Sequence, residues 1–190
     1  MAAIDVGAAA TDRAAAFASG YTLIGLDNPA NETGTLNSIE VWAAVSMNGT
    51  NKVATFSRDG AKFTPRDVVT IGSITAGSKQ TFTEDASSNP IALSVESGDY
   101  LGIYFSSGNI ERDETGYSGL YYKQFDQTAA GEQTYTLAAG DAISLYATGE
   151  TASATSIKTL FAGTPIADLA KFNGTAISDY KKINGISNVD

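Results

Sequence analysis

The strongest constraint on this chain is its punctuation. Short apolar runs, rich in β-branched and aromatic residues, are broken roughly every ten residues by Gly, Asn, Asp and Ser. Helices of ordinary length do not survive such breaks, whereas strands do. The runs are Tyr21–Leu26, Leu36–Val45, Val53–Phe56, Val68–Ile71, Lys79–Thr83, Ile91–Val95, Tyr100–Phe105, Leu120–Lys123, Thr134–Leu137 and Ile143–Tyr146. Within Leu36–Val45 the alternation puts Ile39, Val41 and Ala43 on one side and Glu40, Trp42 and Ala44 on the other. The spacing predicts an all-β fold, an antiparallel, jelly-roll-like β-sandwich. Asn48-Gly49 and Asp59-Gly60 read as hairpin turns. Only Ala8–Ala18 offers a helical reading, set against strand or loop, and residues 1–20 are a candidate N-terminal arm.

The charge pattern divides the chain. Residues 1–150, the expected sandwich domain, carry 8 basic and 18 acidic groups, a net −10. Residues 151–190, read as a linker and a repeat tail, carry 4 basic and 3 acidic groups, a net +1. The linker itself reads from Thr148 to Ser156. A phosphate-binding groove needs clustered Lys and Arg, so nucleic acid is not an expected partner. An anionic membrane surface is disfavoured for the same reason. No apolar run approaches the ~20 residues of a spanning helix. Met1-Ala-Ala-Ile-Asp-Val has neither the basic nor the apolar region of a secretory signal, so a cytoplasmic site of synthesis is expected.

The chain has no cysteine and no histidine. Disulfides, thiolate metal sites and cysteine nucleophiles are excluded, as are Ser-His-Asp triads and histidine-based zinc sites. An enzyme would have to work with carboxylates alone. No catalytic residue, metal or cofactor is expected.

Three patterns bear on function. Val95-Glu-Ser-Gly-Asp-Tyr-Leu-Gly-Ile-Tyr104 matches Leu137-Ala-Ala-Gly-Asp-Ala-Ile-Ser-Leu-Tyr146. The reading adopted is two equivalent hairpin corners of a jelly roll; the competing one makes Asp99 and Asp141 a calcium pair. Glu111-Arg-Asp-Glu114 is the densest carboxylate cluster, read as a solvated loop held by Arg112, with a calcium loop through Asp113 and Glu114 as runner-up. Among the aromatics Trp42, Tyr117, Tyr121, Tyr122 and Phe125, the candidate glycan contacts are Trp42, Tyr117 and Tyr122, because flat rings stack on sugars. Alternation sends Tyr121 and Tyr122 to opposite faces, so at least one belongs to the core.

The tail repeats with a period of eleven, Ile166-Ala-Asp-Leu-Ala-Lys-Phe-Asn-Gly-Thr-Ala followed by Ile177-Ser-Asp-Tyr-Lys-Lys-Ile-Asn-Gly-Ile-Ser. Ile166, Leu169 and Phe172 stand three apart, as do Ile177, Tyr180 and Ile183, and form an apolar edge. That spacing fits short helical turns stopped at Gly174 and Gly185; hairpins at each Asn-Gly are the alternative. Units this small cannot bury their own apolar side, so these six residues are the expected assembly anchors.

Asn28-Pro-Ala-Asn-Glu-Thr-Gly-Thr-Leu-Asn-Ser-Ile-Glu-Val-Trp42, Val69-Thr-Ile-Gly-Ser-Ile-Thr-Ala-Gly-Ser78 and Val95–Tyr104 resemble β-sandwich domains of tailed-bacteriophage virion proteins. The tail is similar to the Ile-Asn-Gly repeats that end many such proteins. The resemblance implies a structural part of a virion, a capsid decoration protein, head fibre or tail component, with other virion proteins and copies of itself as partners. A glycan-binding module for host attachment and a subunit of an extracellular filament are the alternative expectations.

Overall fold

The computed structural model describes residues 2–151, 171–172 and 175–176. The chain divides into two units, Met1–Ala152 and Ser153–Asp190. The first is built from β1 (Ala3–Ala8), β2 (Ala15–Ala18), β3 (Tyr21–Gly25), β4 (Gly34–Val45), β5 (Asn51–Asp59), β6 (Lys62–Ile71), β7 (Lys79–Phe82), β8 (Leu93–Val95), β9 (Tyr100–Phe105), β10 (Asn109–Asp113), β11 (Leu120–Gln124), β12 (Gln133–Thr134), β13 (Thr136–Ala138), β14 (Ala142–Ile143) and β15 (Leu145–Glu150). They form two antiparallel sheets packed as a β-sandwich. One runs β1-β15-β4-β10-β14, with β2 beside β10 and β7 and β8 beside β4; the other runs β12-β6-β5-β9-β3-β11-β13.

The alternation read from the sequence fixes the inner faces. On β4, Leu36, Ile39, Val41 and Ala43 are buried while Glu40, Trp42 and Ala44 are half-buried on the far face. They meet Leu23, Val53, Leu101, Ile103 and Phe105 of the opposing sheet in the main core. Burying one such side chain contributes roughly 1.5–3 kcal/mol.

The seven-stranded sheet is strongly curled. Its end strands β12 and β13 are separated in sequence only by Tyr135. In a flat sheet six strand spacings would hold them roughly 29 Å apart. Residues flanking a single residue lie within about 7 Å of each other. The sheet therefore bends until Gln133–Thr134 pairs with β6 and Thr136–Ala138 pairs with β11. The hollow of the bend holds a second core of Ile24, Ala54, Phe56, Phe63, Tyr121 and Tyr135. Phe63 sits at its centre, 5.0 Å from the Tyr121 ring, 5.4 Å from Tyr135 and 6.1 Å from Tyr100. Arg58 covers Phe63, Tyr100 and Tyr121, its guanidinium 5.2–5.7 Å from each ring centre.

Several local expectations change. Ala8–Ala18 is not helical: Ala3–Ala8 and Ala15–Ala18 are strands. Ile4 and Val6 are buried, β1 pairs with β15 along its whole length and β2 pairs with β10, so Ala3–Ala8 and Ala15–Ala18 are woven into the sandwich rather than forming an arm. Thr148–Glu150 belongs to β15, so the linker reading fails there. Asn48-Gly49 is no hairpin, because β4 and β5 lie in different sheets. Asp59-Gly60 does lie in a hairpin, with Asp59 paired to Lys62. Gly98-Asp99 and Gly140-Asp141 are corners, each carrying the chain from one sheet to the other, and so are not hairpins. Both glycines have positive φ, 89° and 84°, which a side chain would resist.

In the second unit, β16 (Lys171–Phe172) and β17 (Thr175–Ala176) pair antiparallel. Phe172 thus lies in a strand, as the Asn-Gly hairpin alternative has it, and not in a helical turn. Ile166, Leu169, Ile177, Tyr180 and Ile183 lie outside the described residues.

The Tyr135 hydroxyl is buried without a hydrogen-bond partner. Burial, reinforced by the charge of Asp126, holds its pKa well above the ordinary tyrosine value. Tyr135→Phe removes an unpaired polar group and is expected to stabilise the fold by about 1 kcal/mol. Tyr135→Ala empties the second core and is expected to cost about 3–5 kcal/mol. Urea unfolding measures both.

Candidate functional site

The carboxylates that the sequence singled out are bound by the protein's own arginines. Asp99 and Asp141 are each 3% exposed. Arg66 of β6 holds Asp99 through Nε and Nη2, and Asp99 also accepts the Glu96 amide. Arg112 of β10 holds Asp141 through Nε at 2.7 Å and Nη2 at 2.6 Å. The two Gly-Asp turns are equivalent corners, each closed by a guanidinium from a neighbouring strand.

Glu111-Arg-Asp-Glu114 is not a solvated loop. Its first three residues lie in β10, and Glu111 is 7% exposed. The partner that sequence reading missed is Arg13, whose side chain is 2% exposed. Its guanidinium donates to Asp113 Oδ2 at 2.7 Å, Ser144 Oγ at 2.7 Å and the Ala9 carbonyl at 2.9 Å, while its backbone N–H donates to Glu111 Oε2. The Ala14 amide and the Arg13 charge outweigh burial and hold the Asp113 pKa below the usual carboxylate range. Among the described residues no group of three or more carboxylates is placed to hold a metal ion.

The candidate glycan contacts fall in different settings. Tyr117, 41% exposed, lies in the loop after β10, and Arg13 covers its ring at 4.9 Å. Trp42 is half-buried on the outer face of β4, where its amide donates to the Ser144 carbonyl and the Glu40–Lys79 ion pair lies beside it. Arg13 and Ser144 thus connect Trp42 to Tyr117. Tyr122 is elsewhere, between the sheets against Phe17 and Tyr21 at 5.7 and 6.1 Å. Tyr121 belongs to the second core. Both tyrosines are packing residues, on opposite faces as alternation required.

A surface that no motif announced lies at one end of the sandwich. Five connections meet there and are bonded to one another. Met47 and Ile74 exchange backbone hydrogen bonds; the Ser106 amide donates to the Thr50 carbonyl and the Thr50 amide to Ser106 Oγ. Asn51 Nδ2 donates to the carbonyls of Met47 and Gly72, and the Ala76 amide to Ser46 Oγ. The Gly20 amide reaches the Phe105 carbonyl, and the Phe125 amide reaches Gly20. None of residues 18–22, 45–51, 71–78, 105–109 or 124–125 is charged. The far ends of the strands carry Asp27, Glu32, Asp59, Glu96 and Glu150.

Two apolar side chains project from this neutral end, Val45 at 52% exposure and Phe125 at 73%. Phe125 has φ 66°. A bulky residue in the left-handed region is strained. It is held there by its bond to Gly20 and by the Thr22 hydroxyl, which donates to the Phe125 carbonyl and accepts from the Gln127 amide.

No protein-family model matches the chain, and no curated protein matches it.

Arg13→Ala strips the partner from Asp113 and is expected to cost about 3 kcal/mol. Because the folded Asp113 pKa is depressed, its contribution is full above the ordinary aspartate pKa and lost as pH falls through the folded value. The variant should therefore show a flatter loss of stability below about pH 4, measured as urea midpoints across the acid range. Phe125→Asn tolerates positive φ and gives up little packing, so it is expected to stabilise the fold by about 1 kcal/mol, read from the same midpoints.

Proposed function

We propose that this protein is a structural component of a bacteriophage virion, an exterior capsid decoration, head-fibre or tail protein. The observation that carries this reading is the division of the chain. The unit ending at Ala152 has its own two cores and bonds its buried Asp99, Glu111 and Asp141 internally. The unit beginning at Ser153 carries the eleven-residue repeats, whose anchors Ile166, Leu169, Phe172, Ile177, Tyr180 and Ile183 call for an apolar partner. Other virion proteins, or further copies of the chain, supply that partner. The sandwich is displayed and the repeats attach it. Burying the anchors at roughly 1.5–3 kcal/mol each offsets the cost of ordering the segment.

A second reading, a glycan-binding module, rests on Trp42. A half-exposed indole flanked by a Glu40–Lys79 pair offers a stacking plane and hydrogen-bonding groups together.

Deleting residues 153–190 should leave the urea midpoint of the sandwich unchanged and abolish its co-sedimentation with phage particles. A truncated protein that still co-sediments would sink the attachment role. A glycan-array signal lost in Trp42→Ala would favour the second reading.

A further inference from the structure

We propose that the neutral end of the sandwich is the contact surface of a symmetric pair, in which a second copy of this chain docks end to end with Phe125 and Val45 as anchors.

Charge selects the partner. Residues 1–150 carry a net −10, so two copies repel wherever acidic surface meets acidic surface. The end formed by residues 18–22, 45–51, 71–78, 105–109 and 124–125 contributes no charge to that repulsion. Two copies meeting there point their acidic ends away from each other. The 12 residues of β4 span roughly 40 Å. The acidic ends of the pair would thus be separated by many Debye lengths of ~8 Å at physiological ionic strength. A patch that faces its own image also makes an isologous contact, which closes at two copies.

The surface is built for docking. Its connections are hydrogen-bonded across one another, through Met47–Ile74, Thr50–Ser106, Asn51 to Met47 and Gly72, and Phe125–Gly20, so little ordering remains to be done on contact. Ala18, Asn109 and Val45 lie side by side across β2, β10 and β4. Phe125 follows Gly20 by a backbone hydrogen bond. An exposed aromatic held at unfavourable φ has no role in the fold that a smaller residue would not fill better. Buried against a partner, it becomes the central anchor of the contact.

The full chain tests this. Sedimentation equilibrium should show a dimer, and Phe125→Asp, which accepts positive φ but adds a charge, should weaken it about tenfold or more. Raising the salt concentration should leave the pair intact or tighten it, since only repulsion is screened. The chain has no cysteine, so single substitutions report position cleanly: Asn48→Cys at the neutral end should cross-link with a short bis-maleimide, and Asp59→Cys at the other end should not. A monomeric wild type, a pair untouched by Phe125→Asp, a pair dissolved by salt, or equal cross-linking at both ends would each overturn the proposal. Circular dichroism on Phe125→Asp separates loss of pairing from loss of fold. Attachment through residues 153–190 is read separately, by co-sedimentation of Phe125→Asp with particles.

Discussion

The fold turns on a single residue. Tyr135 joins β12 and β13, which occupy opposite ends of one sheet, and so obliges that sheet to bend back on itself. The bend makes the hollow that Phe56, Phe63 and Tyr121 fill, and Tyr135 fills it with them. It also dictates the path between β11 and β12. Leaving β11, the chain must turn sharply and cross the sheet, and the turn falls on Phe125. The crossing is fastened by Thr22, by the Lys52–Asp126 pair at 2.6 Å and, near its far end, by Lys62 with Glu132. The strained, exposed phenylalanine is thus a by-product of closing the sheet, retained where a smaller residue would relieve it.

A second set of constraints works through arginine. Arg13, Arg66 and Arg112 each take a carboxylate, and each joins segments distant in sequence. Removing one partner from such a pair strands a poorly solvated charge. These bonds hold the two corners and the N-terminal segment in place. Arg58 has no carboxylate partner among the described residues and lies over the rings of the second core.

Much of this was legible in the sequence, and the failures have physical causes. Tyr100–Phe105 and the alternation of β4 could be read directly, because period-two burial is local. β10 could not. Glu111-Arg-Asp-Glu114 looks solvated until Arg13 and Asp141 arrive from residues some 30 to 100 positions away. The alanines of β1 and β2 carry little β preference, and partners β15 and β10 impose the strand. Asn48-Gly49 has the chemistry of a hairpin, but the apolar faces of β4 and β5 belong to opposite walls of the core. The neutral end was present as five uncharged stretches, meaningless apart and joined only by hydrogen bonds between loops. Arg13 reached the Tyr117 ring in the same way, while Tyr122 packed against the main core.

The exposed border of β1 is closed by a side chain. Asn31 receives the Asp5 amide on Oδ1 and gives its own Nδ2 to the Ala3 carbonyl, while the Asn28 carbonyl takes the Gly7 amide. One amide group thus imitates the next strand and ends the sheet there. A sheet finished in this way cannot recruit a neighbour's strand along that border, so growth by endless edge-to-edge addition is blocked on that side. Molecules of this shape suit assemblies with a fixed number of members, in which size is set by geometry and not by supply.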